Sequence, residues 1–496
     1  MTPIAPRRGT GRRPSGLAAP VALACLAAGC ALTPATHGAP PAPNVAWTPP
    51  PSEVRRQEQP PTPAPALPED IATRIGALKL GDVLDIALRN NTQTRAAWSD
   101  ARAAAANYGV AKGAYLPQVT LDGAITGVQT VPSGGRAAVR QTFYGPTVNA
   151  TWLLLDFGSR GGSVAGARDA LFAADWTHNA VVQDVVLNVA TAYFSYLDAK
   201  ALLAAQQATV AAERSNLAAA EGRHNVGLAT IADVLQARTA LSQAQLAVEG
   251  TEGDLATTRG SLALSMGLPA NVPYDIAAAP DTTPPLGVVE SLDSLIARAV
   301  RSRPDLAAAR ANVDAARARV RAATGEALPA LVATGTGGET YFNTRPVPGP
   351  SYSLGLSVQV PIFFGFAHLY GIKAAQAEAD ASRARAQGLE QQVIFQVFNS
   401  YYGLRTATQR VRTAEDLFAA AQQSEQVAAG RYKEGAGTAL DLLTAESALA
   451  DARAQRINAR FAWYIALAQL AHDVGVLGLD GSTPFALQPD TTGTPQ

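Results

Sequence analysis

Residues 223–237 read Arg-His-Asn-Val-Gly-Leu-Ala-Thr-Ile-Ala-Asp-Val-Leu-Gln-Ala, and residues 431–445, which lie 208 positions later, read Arg-Tyr-Lys-Glu-Gly-Ala-Gly-Thr-Ala-Leu-Asp-Leu-Leu-Thr-Ala. The two stretches align without a gap, so the chain contains one structural unit twice. Two copies are too few for a solenoid, which needs about three or more stacked repeats. The duplication therefore predicts a pseudo-symmetric protomer that completes its structure by oligomerising.

Long helices are predicted in both copies. Proline breaks helix interiors, and none occurs in residues 147–268 or 362–483. A helix of about 67 residues is about 100 Å long, far longer than a globular domain of this size needs. Because Gly227 or Gly435 separates each long helix from a second one, each copy predicts a helix hairpin. The expected helices lie at about 159–225, 230–266, 366–432 and 438–474.

Apolar residues form a narrow seam along the two long helices. They recur at spacings of three and four, the pattern of a heptad repeat, and the opposite face is polar. Because the apolar seam is narrow, both faces of a layer of these helices could contact water, which fits the wall of a tube better than a solid bundle. The seam residues are Val182, Val186, Val189, Tyr193, Tyr196 and Leu203 in the first copy, and Ile394, Val397, Tyr401, Leu404 and Val411 in the second.

Short strands are predicted just before each long helix. Residues 143–156 and 351–362 alternate apolar and polar side chains, which is typical of transmembrane β-barrels. Weaker, glycine-rich strands are expected at about 118–129 and 330–342, and loops at 130–142 and 343–350 are expected to face outward. Aromatic residues lie where the girdle of a barrel belongs: Trp152, Phe157, Phe363 and Phe364.

The strands imply that several chains share one barrel. After the N-terminal apolar segment we find no apolar run of 18 or more residues, so a membrane crossing would have to use strands. An open sheet edge in lipid leaves backbone N–H and C=O groups unsatisfied. Known barrels begin at about eight strands, so four strands from one chain cannot close one.

The N-terminus predicts export. Residues 1–29 combine four arginines, an apolar core and a small-residue cleavage site, and Cys30 follows Ala-Ala-Gly as in a bacterial lipobox. Cys30 is therefore the candidate lipidation site. The alternative is an ordinary signal that is cleaved nearby and leaves Cys30 without a role. Ala31 predicts sorting to the outer membrane by its resemblance to bacterial lipoproteins.

Composition excludes several classes of function. Removing the signal, with four arginines and no acid, changes the net charge from 0 to −4, which does not suit a nucleic-acid binder. The sequence offers no phosphate-binding glycine loop and no nucleophile elbow. We therefore expect no enzyme activity, no metal and no cofactor. The histidines have no ligand spacing: His37, His178, His224, His368 and His472.

The lipobox, the duplicated helix–strand–strand–helix unit and the paired hairpin turns resemble the TolC-type outer-membrane efflux factor family, nearest to its OprM/NodT-like lipoprotein branch. The resemblance covers about residues 75–476. It implies a mixed α and β membrane protein, a homotrimer with a 12-stranded transmembrane β-barrel, four strands per chain, that continues into a long periplasmic α-helical barrel. It also implies a periplasmic membrane-fusion adaptor and an inner-membrane efflux pump of the RND or ABC type.

The predicted organisation has five parts, and the two repeats occupy most of the chain. The expected segments are 1–29 (signal peptide), 30–74 (proline-rich segment after the lipidated cysteine), 75–287 (first repeat), 288–476 (second repeat) and 477–496 (C-terminal tail).

The resemblance identifies candidate gate residues at the periplasmic tip. Asp441 matches the family's acidic constriction residue, and Asp233 is its equivalent in the first copy. Threefold symmetry would make each a ring of carboxylates that attracts cations. A capping box, Thr-x-x-Asp at the start of a helix, is a strong alternative explanation for both residues, and the two roles are compatible.

Other tip positions are interpreted in the same way. Tyr432 matches a family residue in the closed-state hydrogen-bond network, whereas Gly437 and Thr444 replace a basic and an acidic residue. Arg431 or Arg223 would then supply the missing link. The expected adaptor contacts are Gly227, Leu228, Gly435 and Ala436, although turn geometry alone also explains the glycines.

The function expected is a passive exit duct for drugs or other small toxic compounds in a tripartite efflux system of the cell outer membrane. The same architecture would serve type I protein secretion. A structural coiled-coil lipoprotein is a further alternative, but it would not need the alternating strands.

Overall fold

The computed structural model describes residues 76–130, 139–277, 290–343 and 345–477. The predicted signal peptide, Cys30, the proline-rich segment and the tail after Leu477 lie outside these residues. In chain order the first half contains α1 (Leu80–Asn90), α2 (Thr92–Gly113), β1 (Gln118–Thr130), β2 (Val139–Leu155), α3 (Ser159–Asn225) and α4 (Ile231–Ser265). The second half contains α5 (Leu292–Ser302), α6 (Pro304–Glu326), β3 (Ala330–Phe342), β4 (Arg345–Gln359), α7 (Ala367–Lys433) and α8 (Ala439–Asp473).

The two halves match element by element. α3 and α7 each contain 67 residues, α4 and α8 each contain 35, and β1 and β3 each contain 13. Equal lengths on a repeated sequence agree with the duplication of one unit. All described residues fall within one compact unit, Pro65–Gln496, so the boundary between the repeats at 287/288 stays a prediction.

The strands form one antiparallel sheet in the order β1-β2-β3-β4. The central strands, β2 and β3, come from different halves of the chain and pair from Phe143↔Phe342 to Leu155↔Leu331. The edge strands, β1 and β4, each pair with one neighbour in this sheet. The sheet therefore presents two rows of backbone N–H and C=O groups to which a further strand could bond.

Strand β2 is longer than the sequence predicts. It begins at Val139 rather than at about 143, because its ladder with β1 continues to the pair Thr130↔Val139. Residues 140–142 of the predicted loop therefore belong to the strand. Residues 131–138 of the predicted loop lie outside the described part.

Strand β4 is displaced toward the N-terminus relative to the expected 351–362, and it takes up most of the predicted loop 343–350. Pro346, Pro348 and Pro350 occupy alternate positions. The ladder with β3 shifts register between Thr340 and Phe342, opposite this stretch, and prolines are tolerated there because β4 is an edge strand. Pro361 lies beyond the C-terminal end of the strand.

The core forms where the long helices pack against the short ones. One cluster joins α1, α3, α4 and α8 around Val186 and Val189, and a second joins α5, α7 and α8 around Val397 and Leu404. The heptad prediction is wrong at Ile394, which is 36% exposed, whereas Val393 is fully buried. The prediction chose the wrong one of two adjacent apolar residues, and the buried residues of α7 keep strict heptad spacing: Val393, Val397, Ser400, Leu404 and Val411.

Helix α3 alone among the described helices has a length and composition that would let it cross a membrane. Its most apolar 18-residue window has a mean hydropathy of 1.2, and half of the window is buried in the protein. Core helices of soluble proteins have the same property, so this is weak evidence for a span. Polar residues interrupt this window, so no continuous apolar run marks it in the sequence.

Candidate functional site

The two hairpin turns have the same backbone geometry. Gly227 and Gly435 adopt positive φ values of 78° and 72°, as the turn prediction requires. In the second turn, the N–H of Ala436 donates to the carbonyl of Arg431 at 2.8 Å, and the equivalent bond of the first turn is also 2.8 Å long. Leu228 and Ala436 are exposed beside these glycines, so both turns present accessible surface.

Each returning helix begins with a capping box. The N–H of Thr438 donates to Asp441 Oδ2, and the N–H of Asp441 donates to Thr438 Oγ1, both at 3.1 Å. Thr230 and Asp233 form the same pair of bonds, at 2.8 and 3.3 Å. The capping role predicted for both aspartates is therefore confirmed.

The capping bonds also fix the charge of the two aspartates. Hydrogen bonds from Thr438 lower the pKa of Asp441 below its ordinary value, and the positive charge of Arg431 lowers it further. The pKa of Asp233 is lowered in the same way by Thr230 and by the charge of Arg223. Both side chains are consequently carboxylates throughout the neutral pH range.

One contact between the hairpins involves Arg223, one of the two arginines expected to supply the missing link. Arg223 Nη1 donates to the carbonyl of Tyr432 at 3.4 Å, and the guanidinium carbon of Arg223 lies 4.5 Å from the centroid of the Tyr432 ring. This contact joins the end of α3 to the end of α7 by a cation–π interaction. Arg431 instead donates to the carbonyl of Ala436 in its own turn, at 3.3 Å.

The remaining tip residues do not come together. Thr444 Oγ1 donates to the carbonyl of Leu440 within α8, at 2.7 Å. Gly437 packs against Arg431, where an added Cβ would lie 3.2 Å from the Arg431 Cβ. Along the described chain, no hydrogen bond or ion pair joins Asp233 to Asp441. Their roles in a gate stay predictions.

Two polar contacts between α3 and α8 are not predicted from the sequence. Asn216 Nδ2 donates to Glu446 Oε2 at 2.6 Å, across 230 positions of sequence. His472 Nε2 lies 2.9 Å from Asp184 Oδ1, which again joins the two helices. No sequence motif marks either pair, because each depends on the register between helices from different halves of the chain.

One face of the sheet is apolar and exposed. The register brings Val119, Ala150, Gly335 and Leu354 into one row across the four strands. Leu354 is 85% exposed, although leucine is usually buried. A contiguous exposed face of this kind marks contact with lipid or with another protein. Its other large apolar residues are Leu121, Ile125, Val148, Trp152, Leu356 and Val358.

Aromatic residues lie at two levels of this face. The rings of Tyr144 and Tyr341 stack at 5.5 Å near one end, and Trp152 lies eight positions from Tyr144 on β2. Eight strand residues span about 27 Å, or roughly 21 Å normal to the membrane at a tilt of about 40°. This separation fits an apolar band of about 25 Å between two aromatic girdles.

The opposite face of the sheet is polar. Its row Thr120, Asn149, Thr336 and Ser353 crosses all four strands. Asp122 Oδ2 accepts hydrogen bonds from Thr120 Oγ1 at 3.0 Å and from Asn149 Nδ2 at 2.6 Å. Such side chains suit a water-filled lumen. Among the residues that the structure describes, no group of His, Cys, Asp and Glu could hold a metal ion.

Comparison with known proteins identifies a family. The model of the outer membrane efflux protein family matches residues 83–268 and 295–476. Protein CyaE of Bordetella pertussis is 29% identical over 424 residues, 83% of this chain and 88% of that protein. Outer membrane efflux protein BepC of Brucella suis is 25% identical over 397 residues, 79% and 81% of the two chains. The solved structure of the outer-membrane channel OprN superposes with a TM-score of 0.71 at 20% identity, over 85% of this chain and 98% of that one.

Proposed function

Because the chain belongs to the outer membrane efflux protein family, we propose that three copies of it form one exit duct through the outer membrane. The duct passively conducts drugs or other small toxic compounds from the periplasm to the exterior. The observation that carries this proposal is the four-stranded sheet, whose apolar face is exposed and whose two edge strands have a free side.

The sheet is suited to a barrel built from several chains. Its two faces, one apolar and one polar, are those of a barrel wall between lipid and water. In lipid, its free edges would leave backbone groups unsatisfied unless β1 of one copy pairs with β4 of the next. Three copies supply 12 strands, and closure removes every edge.

The helices support the periplasmic part of the proposal. α3 and α7, each about 100 Å long at 1.5 Å per residue, follow directly on the sheet. Helices of three copies would line one continuous conduit below the barrel. Cys30, acylated after removal of residues 1–29, would anchor each copy in the outer membrane.

Partners supply energy and substrate in this proposal. A periplasmic membrane-fusion adaptor contacts the exposed turns at Gly227, Leu228, Gly435 and Ala436, and it connects the duct to an inner-membrane pump of the RND or ABC type. Rings of Asp441 and Asp233 form the entrance, together with Tyr432, Thr444 and Arg431. Opening requires the second hairpin, α7–α8, to swing away from the first, α3–α4.

The test is conduction by the purified full-length protein in planar lipid bilayers. We expect discrete single-channel steps from a species that migrates as an oligomer in gels and dissociates on heating. A protein that stays monomeric in detergent and leaves the bilayer unchanged at every voltage would contradict the proposal.

A further inference from the structure

Here a seam means the contact between two packed helices. The seams inside the hairpins differ in their polar groups from the seam between the hairpins. Inside each hairpin a glutamate–arginine ion pair crosses between the helices, Glu221–Arg238 at 3.2 Å in the first and Glu415–Arg456 at 3.0 Å in the second. Between the hairpins, where α3 packs against α8, His472 pairs with Asp184 at one end, but two other carboxylates meet neutral amides. Asn216 is one of these amides, and it bonds Glu446 at 2.6 Å.

The same seam repeats this pairing farther from the tips. The Asn458 amide nitrogen, in the orientation that satisfies both groups, donates to Asp198 Oδ1 at 3.0 Å. Burial raises the pKa of Asp198 to about 6. An amide is a weaker partner for a carboxylate than an arginine is, because it carries no compensating charge. Because burial disfavours the charge of Asp198 and the amide supplies no compensating positive charge, the packed seam is more stable when this carboxyl is protonated.

Near the tips, the amide group of one asparagine lies within hydrogen-bond distance of two carboxyl groups. Asn216 Nδ2 lies 2.6 Å from Glu446 Oε2 and 3.4 Å from Glu213 Oε2. Glu213 is only 5% exposed, and its burial disfavours the charged form. Two ionised carboxylates around one neutral amide repel each other, whereas a proton on either one removes the repulsion.

The surroundings reinforce the repulsion. Burial raises the pKa of Glu446 to about 7, although the bond from Asn216 opposes this shift, and the charges of Glu213 and of Glu425 on α7 add to it. Burial also raises the pKa of Glu213. A cavity of about 890 Å³ borders Glu213 between α3, α4 and α8, and α4 lines it with uncharged side chains such as Gln236 and Thr239.

Two further charged groups lie along the same cavity. Asp451 and Arg453, both on α8, line it beside Glu213. They have opposite signs and lie five and seven positions beyond Glu446 in the sequence. The charged groups that act on Glu446 itself, Glu213 and Glu425, are both acidic.

We propose that Glu213, Asn216 and Glu446 form a proton-dependent latch that holds the two hairpins together when one carboxyl is protonated and releases them when both are ionised. The latch rests on the proposed function, in which separation of the hairpins opens the entrance. Glu446 returns toward its ordinary pKa of 4.5 when it is hydrated. The packed seam therefore binds the proton more tightly, so this stabilisation is complete below about pH 4.5 and is lost as the pH rises from there through about 7.

The other end of the seam stays fixed over this range. His472 contacts Asp184 of α3 at 2.9 Å and Asp473 at 3.0 Å. Although burial disfavours its charged form, these two bonds raise the pKa of His472 to about 9. It remains a cation between pH 6 and 8, when the latch titrates. The second hairpin would thus pivot near His472 and open at the tips.

The test is open probability in planar bilayers between pH 5.5 and pH 8, for the full-length protein and for Glu446→Gln. The pKa of Glu446 differs by more than two units between the packed and the hydrated seam, which permits more than a hundredfold change in the equilibrium between closed and open channels. Partial hydration of Glu446 in the packed seam reduces this change, so we expect the open probability to rise at least about tenfold with pH. Glu446→Gln keeps the hydrogen bond without the charge and should stay closed at both values. Glu213→Gln should act in the same direction.

The matched control is Glu221→Gln, which removes an acid from the seam inside the first hairpin and should keep the original pH profile. An original profile without pH dependence, or one that Glu446→Gln leaves unchanged, would overturn the latch. Absence of any conductance would instead count against the exit duct.

A second measurement, of the distance between the hairpins, tests the latch independently of conduction. Spin labels at two exposed tip positions, Val226→Cys and Leu440→Cys, report the distance between the hairpins. We expect this distance to increase between pH 5.5 and pH 8 and to stay constant in the Glu446→Gln background. A distance that is the same at both pH values would overturn the latch even in a conducting channel.

Discussion

At the scale of single residues, the two copies share the same capping motif, although Asp441 and Asp233 need not contribute equally to a gate. Thr230–Asp233 and Thr438–Asp441 make the same capping bonds, so capping cannot distinguish the two copies. The sequence predicts these boxes because a capping box needs only neighbouring residues. It does not predict the pair Asn216–Glu446, because that contact depends on how α3 and α8 are packed.

We expect Asp441→Asn to weaken the block of single-channel conductance by multivalent cations. The asparagine oxygen can still accept the capping bond, so the variant removes charge with little loss of helix stability. If Asp441 rings the entrance, loss of three carboxylates should raise the blocking concentration at least about tenfold. Because its pKa is lowered, the block in the original protein should not vary between pH 5 and 8.

Asp233→Asn removes the equivalent charge from the first hairpin, and because Asp233 also lines the proposed entrance, we expect it to weaken the block in the same direction. Blocking concentrations that are the same for Asp441→Asn and the original protein would remove Asp441 from the constriction.

At the scale of elements, the helices were predicted well and the strands less well. The long and returning helices begin and end within one residue of expectation, because heptads, prolines and glycines mark them locally. The edge strand β4 was displaced, because the consequence of its prolines depends on which side of the sheet is free. Helix spacing is set by details that periodicity does not reveal, such as glycines where α3 crosses α6.

Gly162 shows such a close approach. A Cβ added there would lie 2.4 Å from the backbone nitrogen of Ala322 on α6, so the two helices would have to move apart. We expect Gly162→Ala to reduce the free energy of unfolding by about 1–3 kcal/mol, as overpacking does. Thermal unfolding followed by circular dichroism measures the effect.

The neighbouring Gly161 provides the control, because an added Cβ there meets only the Tyr115 hydroxyl at 3.7 Å. Gly161→Ala should be neutral, or stabilising by up to about 1 kcal/mol through its helix propensity. Equal melting temperatures for the two variants would show that the crossing of α3 and α6 leaves room for a methyl group at Gly162.

At the scale of the whole molecule, the central feature is incompleteness. One chain carries a barrel wall with an apolar and a polar face, but its sheet order leaves β1 and β4 at open edges. The strand count predicts that several copies are needed, because lipid has no hydrogen-bond partners for the backbone groups at an open sheet edge. It could not give their number, which comes from the family.

The most direct test is the mass of the particle extracted from the outer membrane in mild detergent, measured by native mass spectrometry. Closure by 12 strands predicts a particle of three chains, each beginning at a lipid-modified Cys30, with no free monomer at equilibrium. A stable, lipid-embedded particle containing a single chain would show that the sheet is sealed in some other way and would contradict the shared barrel.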